Sequence, residues 1–247
     1  MSIPHWDGGG HVKNVPPQPP VTDSEPGRAG RVVVLFALGR EMAPFRRALR
    51  TRHDVSVIVT GVGRSAARRA AKALINEPLP RLIIMAGFCG ALVPDLAVGD
   101  VVISRDICSS GSSWLAAELL VPGDIRIAAR RSRILTTNRL ISDPIEKKRL
   151  GKLHQADAVD MESATVAEVC ARAGVPFLAG RAVSDTVETR LSPELVKLLS
   201  GGRVSPWKAA AAILRRPLLL GEFLRLARDT RRASRNLATV LVGLLGK

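Results

Sequence analysis

Residues Ala158 to Thr186 read AVDMESATVAEVCARAGVPFLAGRAVSDT, and two periodicities inside this stretch decide the fold class. Ala164, Val166, Ala167, Val169 and Cys170 recur at helical spacing over Ser163 to Ala173, and Gly174 with Pro176 then ends the helix. Phe177 to Val183 follows as a short, mostly apolar run, the pattern of a parallel strand buried on both faces. A helix feeding such a strand marks an α/β chain. Two acids flank the unit: Glu162 at the helix entrance and Asp185 just past the strand. In open α/β sheets ligands collect outside the carboxyl ends of strands, which makes Asp185 a candidate functional acid. Local physics offers plainer roles as well, Asp185 as a helix N-cap before Val187 and Glu162 as a complement to a helix dipole.

Working outward, the 247 residues are 46% apolar and 24% charged, enough to bury one full core without requiring a second. Cys89, Cys108 and Cys170 are odd in number and lack metal-ligand spacing, so they read as reduced thiols with no metal site. No apolar run reaches the length needed to span a bilayer and no signal-like start is present, so the expected location is cytoplasmic. Residues 1–30 are Pro- and Gly-rich without apolar periodicity and read as a disordered leader ahead of a catalytic domain over 31–200.

The remaining residues, 201–247, form a basic amphipathic tail. Leu218, Leu219, Leu220, Phe223, Leu224 and Leu226 alternate with Arg215, Arg216, Arg225, Arg228, Arg231, Arg232 and Arg235, and Pro217 and Gly221 are expected to divide the tail into at least two helices before a short apolar end, Leu237 to Leu245. Such a segment can lie on an anionic membrane surface, or pack as a last helix on the sheet with its arginines solvated. A net charge of +15 calls for an anionic partner. Nucleic acid is the weaker candidate, because aromatic residues make up only 3% of the chain and leave few stacking platforms.

Gly61-Val62-Gly63-Arg64-Ser65-Ala66 fits the G-x-G-x-x-A dinucleotide fingerprint, yet the acid expected about twenty residues on falls among the apolar residues and glycine of Leu82 to Gly87. A nicotinamide site is therefore disfavoured, and no cofactor is expected.

Taken together, VDMES and VPFLAGRAVSD resemble the signature of the purine nucleoside phosphorylase and methylthioadenosine nucleosidase superfamily. The likeness extends upstream through VVVLFALGREMAPF, VIVTGVGRSAARRAAKAL and LIIMAGFCGALVPDLAVGDVVIS, covering roughly Arg31 to Asp185. Within it the chain looks most similar to the hopanoid-associated phosphorylases, implicated in removing adenine from adenosylhopane. The resemblance implies a three-layer α/β fold, a central twisted, mainly parallel or mixed sheet flanked by helices, and a homo-oligomer, expected as a dimer. It implies cleavage of an N-glycosidic bond, which makes the sugar cationic and the departing base anionic. By the same resemblance Asp185, oriented by Ser184, protonates the base at N7, its pKa raised by burial; Glu162 holds the ribose hydroxyls and Met161 packs on the sugar. Glu41, in the loop after the first strand, takes the place of the carboxylate that activates water, whereas alone it would read as a surface acid in the first turn of a helix Glu41 to Arg50. The glycine turn at Gly61 to Gly63 belongs to the scaffold near the ribosyl site.

Departures from the family pattern bear on the nucleophile. Phosphorolytic members carry a pattern like R-V-G-S on the central strand, where this chain has Met85, Ala86, Gly87 and Phe88. A phosphate dianion needs charge-assisted donors that Met and Phe lack, although Arg40 or Arg64 could compensate. Hydrolysis is the expected reaction, with a phosphorylase, or a non-catalytic membrane- or nucleic-acid-binding relative, as alternatives. Gly87 and Phe88 then border the substrate, and Leu140 and Ile141 stand where an aromatic residue would stack on the purine, offering aliphatic packing instead. The shortened segment between Asp106 and Arg133 leaves the 5′ side of the sugar open, which suits an adenosine carrying a bulky lipid.

Overall fold

Along Val32–Phe36 every residue is buried, and successive side chains enter opposite cores, as a strand's period of two requires. Val32, Val34 and Phe36 join one apolar cluster, and Val33 and Leu35 join the other. The computed structural model describes residues 31–49, 52–76, 78–111, 115–116, 129–200 and 218–246. The leader expected over 1–30 and residues 201–217 of the tail, with Arg215, Arg216 and Pro217, lie outside the described residues, as does most of the segment thought to open the 5′ side. The chain runs β1 (Val32–Phe36), α1 (Gly39–Ala48), β2 (Val55–Val59), α2 (Arg64–Ile75), β3 (Leu82–Ala91), β4 (Val101–Ser109), β5 (Leu115–Ala116), β6 (Arg130–Thr136), α3 (Pro144–His154), β7 (Ala158–Asp160), α4 (Ser163–Ala173), β8 (Phe177–Asp185), α5 (Pro193–Ser200) and α6 (Leu218–Leu244).

The result is an α/β fold with a central mixed sheet flanked by helices, as the sequence predicts. β2, β1, β3 and β8 are parallel neighbours, β4 runs parallel to β6 and β6 to β7, while β8 meets β4, and β7 meets the end of β3, in antiparallel register. Pairings thus close a ring through β3, β8, β4, β6 and β7, from which β1 and β2 extend. α2 and α4 cover one face through Ala67, Ala71, Leu74, Val166 and Cys170; α1 and α6 cover the other through Phe45, Leu237 and Leu241. Cys89, Cys108 and Cys170 are all free and buried.

Helix α4 spans the expected residues and ends at Gly174 in the left-handed conformation (φ 65°, ψ 25°). β8 runs two residues beyond the expected Val183, making Asp185 the last residue of the strand.

The tail corrects one expectation. Gly221 does not divide it: α6 is continuous through that position. Glycine in a helix interior costs only about 1 kcal/mol. Leu237 and Leu241 are fully buried, and each such side chain returns about 2 kcal/mol. Gly180 of β8 lets α6 approach closely, since a Cβ there would lie 3.2 Å from Leu241 Cδ2. The apolar end of the tail is therefore a packed helix, whereas Leu220 and Leu224 near its start are 47% and 63% exposed. Among the described residues no helix is long and apolar enough to cross a membrane.

Candidate active site

The junction of β7 and α4 shows why Glu162 is available for chemistry. The first amides of α4 are satisfied by other groups: Ser163 N donates to Asp160 Oδ2 at 3.2 Å and Ala164 N to Thr136 Oγ1 at 2.9 Å. Glu162 therefore caps nothing with its side chain, and its Oε1 instead accepts from Gly63 N at 2.8 Å, far away in sequence. Gly63 has φ +90°, a conformation that favours glycine, and it aims its amide at this carboxylate. The same contact removes the dinucleotide reading of that turn, because the amide a pyrophosphate would use is taken. Burial pushes the Glu162 carboxyl above its usual range, against the pull of Arg181.

Arg181 is the hub of this side of the site. It sits in β8, 1% exposed, where an unpaired charge would be prohibitive. Its Nη2 pairs with Asp160 Oδ2 at 2.5 Å and lies 3.0 Å from Ser163 Oγ and 3.7 Å from Glu162 Oε2. Gly87 of β3 leaves room for the guanidinium, since a Cβ there would stand 2.7 Å from Arg181 Nη1 and 3.2 Å from Glu41 Oε2.

Glu41 is not the surface acid of the plainer reading, for it is 4% exposed. As the third residue of α1 its Oε2 accepts from Leu38 N at 2.9 Å, half of a capping box, the other half being impossible for a leucine. Its Oε1 also lies 3.3 Å from Phe88 N. Burial raises this carboxyl to about 7, more than Arg181 and the two amides lower it. A carboxylate with that affinity can take a proton near neutral pH.

Asp185 caps no helix, since α5 begins only at Pro193. Its Oδ2 pairs with the ammonium of Lys147, and its Oδ1 lies 2.7 Å from Ser184 Oγ. Lys147, on α3, is fully buried and also donates to the carbonyls of Thr186 at 2.8 Å and Thr189 at 3.2 Å.

Glu41, Glu162 and Asp185 meet at one cavity of about 150 Å³, lined as well by Met161, Ser184, Phe88, Leu140 and Ile141. Of the residues expected at the site, Gly87 alone is not in the wall: it lies behind it, making space for Arg181 and Glu41. Arg64 is occupied elsewhere, with Thr165 Oγ1 at 3.0 Å and Asn138 Oδ1 at 2.7 Å, while Arg40 is exposed at the cavity rim. Among the described residues no group of three or more His, Cys, Asp or Glu is arranged to hold a metal ion.

Sequence reasoning missed Arg181, Asp160, Lys147 and Leu226. An arginine inside the apolar run FLAGRAV was a usable signal, because a buried guanidinium demands carboxylates. Lys147 gave none: in α3 it is Ile145 and Leu153 that face solvent, at 73% and 65% exposure. Leu226 reaches the cavity wall from α6, which no local pattern announces.

Known proteins can now be set beside this geometry. The sequence profile described as the phosphorylase superfamily matches residues 40–113 and 116–199, more than half of the chain. The chain belongs to the phosphorylase superfamily. Solved structures share the fold of this superfamily member. A Helicobacter pylori 5′-methylthioadenosine nucleosidase variant with 5′-methylthioadenosine in its active site superposes with a TM-score of 0.64 at 16% identity, covering 87% of this chain and 98% of its own. Futalosine hydrolase of Helicobacter pylori gives 0.67 at 15% identity, over 87% and 97%. The Campylobacter jejuni 5′-methylthioadenosine/S-adenosylhomocysteine nucleosidase gives 0.60 at 16%, over 86% and 98%.

Proposed function

We propose that this protein is a nucleosidase that hydrolyses the N-glycosidic bond of a 5′-substituted adenosine, releasing adenine without phosphate. The observation that carries the reading is Glu41, a buried carboxylate raised to about 7, sharing one cavity with Asp185. As the bond between the anomeric carbon and N9 breaks, its electrons move onto the base. Asp185 delivers a proton to N7, Glu162 holds the ribose hydroxyls, and Glu41 takes a proton from the attacking water. The nucleosidases and the futalosine hydrolase that share the fold support hydrolysis, as does a β3 segment, Met85 to Phe88, without a cationic side chain.

The 5′ substituent is read as apolar. A cavity of about 150 Å³ is smaller than the ~300 Å³ at which drug-sized ligand sites begin, so a large 5′ group would extend out of it. Leu191 and Leu226 stand in its wall, and Leu224 and Leu220 continue along α6 as exposed leucines. Exposed Arg225, Arg228 and Arg231 on the same helix suit anionic headgroups. An adenosine on a lipid, such as adenosylhopane, presented at a membrane surface fits these features.

The test is free adenine, quantified from 5′-deoxyadenosine and from a lipid-linked adenosine, with and without phosphate, for wild type and Asp185→Asn. Phosphate-independent release that the variant loses is the expected result. Release only with phosphate would replace the reading by a phosphorylase, and no release from either compound would overturn it.

A further inference from the structure

The two halves of α6 are held to the body in different ways. Ala233, Leu237, Ala238 and Leu241 are buried against the sheet, whereas no side chain from Leu220 to Arg232 is buried. The side-chain hydrogen bonds that this first half makes to other described elements both run through Glu222, whose Oε2 accepts from Ser192 Oγ at 2.7 Å and from Ser192 N at 3.4 Å. Ser192 stands between Leu191 and the start of α5, so the pair fastens α6 to the loop that follows β8.

Both sides of that fastening border the cavity that holds Glu41 and Asp185: Leu191 lies in its wall from the loop and Leu226 from α6. The cavity measures about 150 Å³, about half of the ~300 Å³ at which sites for drug-sized ligands begin. Seating a nucleoside with a 5′ substituent therefore requires part of the wall to move. Ile141, Val159 and Leu191 are buried wall residues on packed elements, while Leu226 is half-buried on a segment that has no buried side chain. Segments with so little buried surface open at the lowest free energy.

The outer face of the same segment has a different character. Leu220 and Leu224 are 47% and 63% exposed, and exposed Ala227, Arg228 and Arg231 continue the stripe at helical spacing. Arg225 and Arg232 are exposed beside it, and the two acids of this half are engaged, Glu222 on Ser192 and Asp229 with Arg228 at 3.2 Å. Leucines bordered by guanidiniums suit an anionic lipid surface, which takes the apolar groups at the acyl boundary and the cations at the headgroups. Such adsorption also works against the fastening. Across a helix about 10 Å wide, the Glu222 carboxylate comes within about one Debye length of the lipid phosphates and is repelled by them.

We propose that the first half of α6 is a lid latched by Glu222 and Ser192, and that adsorption of its leucine and arginine face on an anionic membrane releases the latch and admits substrate to the cavity. The inference rests on the reading of the protein as a nucleosidase working at a membrane, and makes the membrane an activator of the site as well as its location. A latched lid lowers the fraction of protein competent to bind, and apparent affinity falls in proportion. One hydrogen bond to a charged group accounts for about 10-fold in that fraction.

The experiment measures adenine release from water-soluble 5′-deoxyadenosine alone, with phosphatidylglycerol vesicles, with phosphatidylcholine vesicles and with a short DNA duplex. Phosphatidylglycerol should lower the wild-type KM by about 10-fold with kcat little changed, and phosphatidylcholine should not. Glu222→Ala and Ser192→Ala should each show the lowered KM without vesicles and gain little from them. Leu220→Ser combined with Leu224→Ser should keep the basal KM and lose the vesicle effect. A wild-type KM unchanged on phosphatidylglycerol, latch variants with the wild-type basal KM, or activation by DNA that vesicles do not match would overturn the inference. Hydrogen exchange adds a readout that needs no turnover: the Ser192 amide should exchange about 5-fold faster or more on phosphatidylglycerol and in Glu222→Ala. No change in either would overturn the lid. Failure of the nucleosidase reading looks different, since no adenine would appear under any condition while the Ser192 amide still responded to vesicles.

Discussion

Replacing Glu41 with glutamine should make the protein more stable, and only at higher pH. The carboxyl is held at about 7 in the fold, against 4.5 when unperturbed, chiefly because it is buried. Below pH 4.5 it is protonated in both folded and unfolded chains and costs nothing. Between 4.5 and about 7 the unfolded chain gives up the proton while the folded chain keeps it, so stability falls as pH rises, and above about 8 the loss is complete. At about 1.4 kcal/mol per pH unit the full loss is about 3 kcal/mol. Glutamine imitates the neutral acid at every pH and escapes this cost.

The assay is urea unfolding of both proteins at pH 5, 6, 7 and 8.5. Glutamine offers one acceptor oxygen to the amides of Leu38 and Phe88, so a pH-independent loss of about 1 kcal/mol can offset the whole curve. The slope is the diagnostic quantity: the variant's advantage should grow by about 2–3 kcal/mol from pH 5 to 8.5, or several degrees in Tm. A gap that stays constant across the range, or a wild type that gains on the variant as pH rises, would refute the placement of Glu41 as a neutralised buried acid.

Three further outcomes are expected. Adenine release by wild type should rise about 10-fold per pH unit and level off above about 7 as Glu41 ionises, and Glu41→Gln should abolish that rise together with most of kcat. Gly87→Ala places a methyl 2.7 Å from Arg181 Nη1, so thermal unfolding should report a loss of about 1–3 kcal/mol, with activity falling because Glu41 and Arg181 are pushed apart. Changing Arg225, Arg228 and Arg231 to Glu should abolish sedimentation with anionic liposomes while leaving adenine release from 5′-deoxyadenosine intact; unchanged sedimentation would remove the membrane part of the proposal.

What could be read from the sequence is what local periodicity encodes. The α4 to β8 unit shows its helix stop and strand in consecutive residues, and Met161, Glu162, Ser184 and Asp185 come with it. The electrostatic partners were out of reach because they are set by tertiary pairing. Glu41 looks like an ordinary first-turn acid, and only β3 passing behind it, with glycine at position 87, reveals that it shares space with Arg181. Lys147 lies on the buried face of α3 with Leu150, but Ile145 and Leu153 of the same helix are exposed, so the apolar pattern does not mark that face, and the partner of the lysine, Asp185, comes from a distant strand. At Gly221 propensity was outweighed, since the helix is held by its far end, where Leu237 and Leu241 meet the sheet.

The charges around the cavity also bear on which nucleophile the site accepts. Four carboxylates, from Glu41, Asp160, Glu162 and Asp185, face two buried cations, Arg181 and Lys147. Asp160 and Asp185 take these cations at contact distance, which leaves Glu41 and Glu162 with only the residual attraction of Arg181 and with burial raising both. Whenever these two ionise, the buried groups carry an excess of negative charge beside the proposed ribosyl position, with Arg40 and the Glu146-paired Arg139 further out in the cavity wall. A developing oxocarbenium ion is stabilised by that excess, and a phosphate dianion is repelled by it. Under the proposed function, water, which is neutral and needs a base, is the nucleophile that suits such a site. Millimolar phosphate should therefore neither accelerate adenine release nor raise the Tm, and a phosphate-dependent rise in either would show that Arg40 or another rim cation rebalances the site.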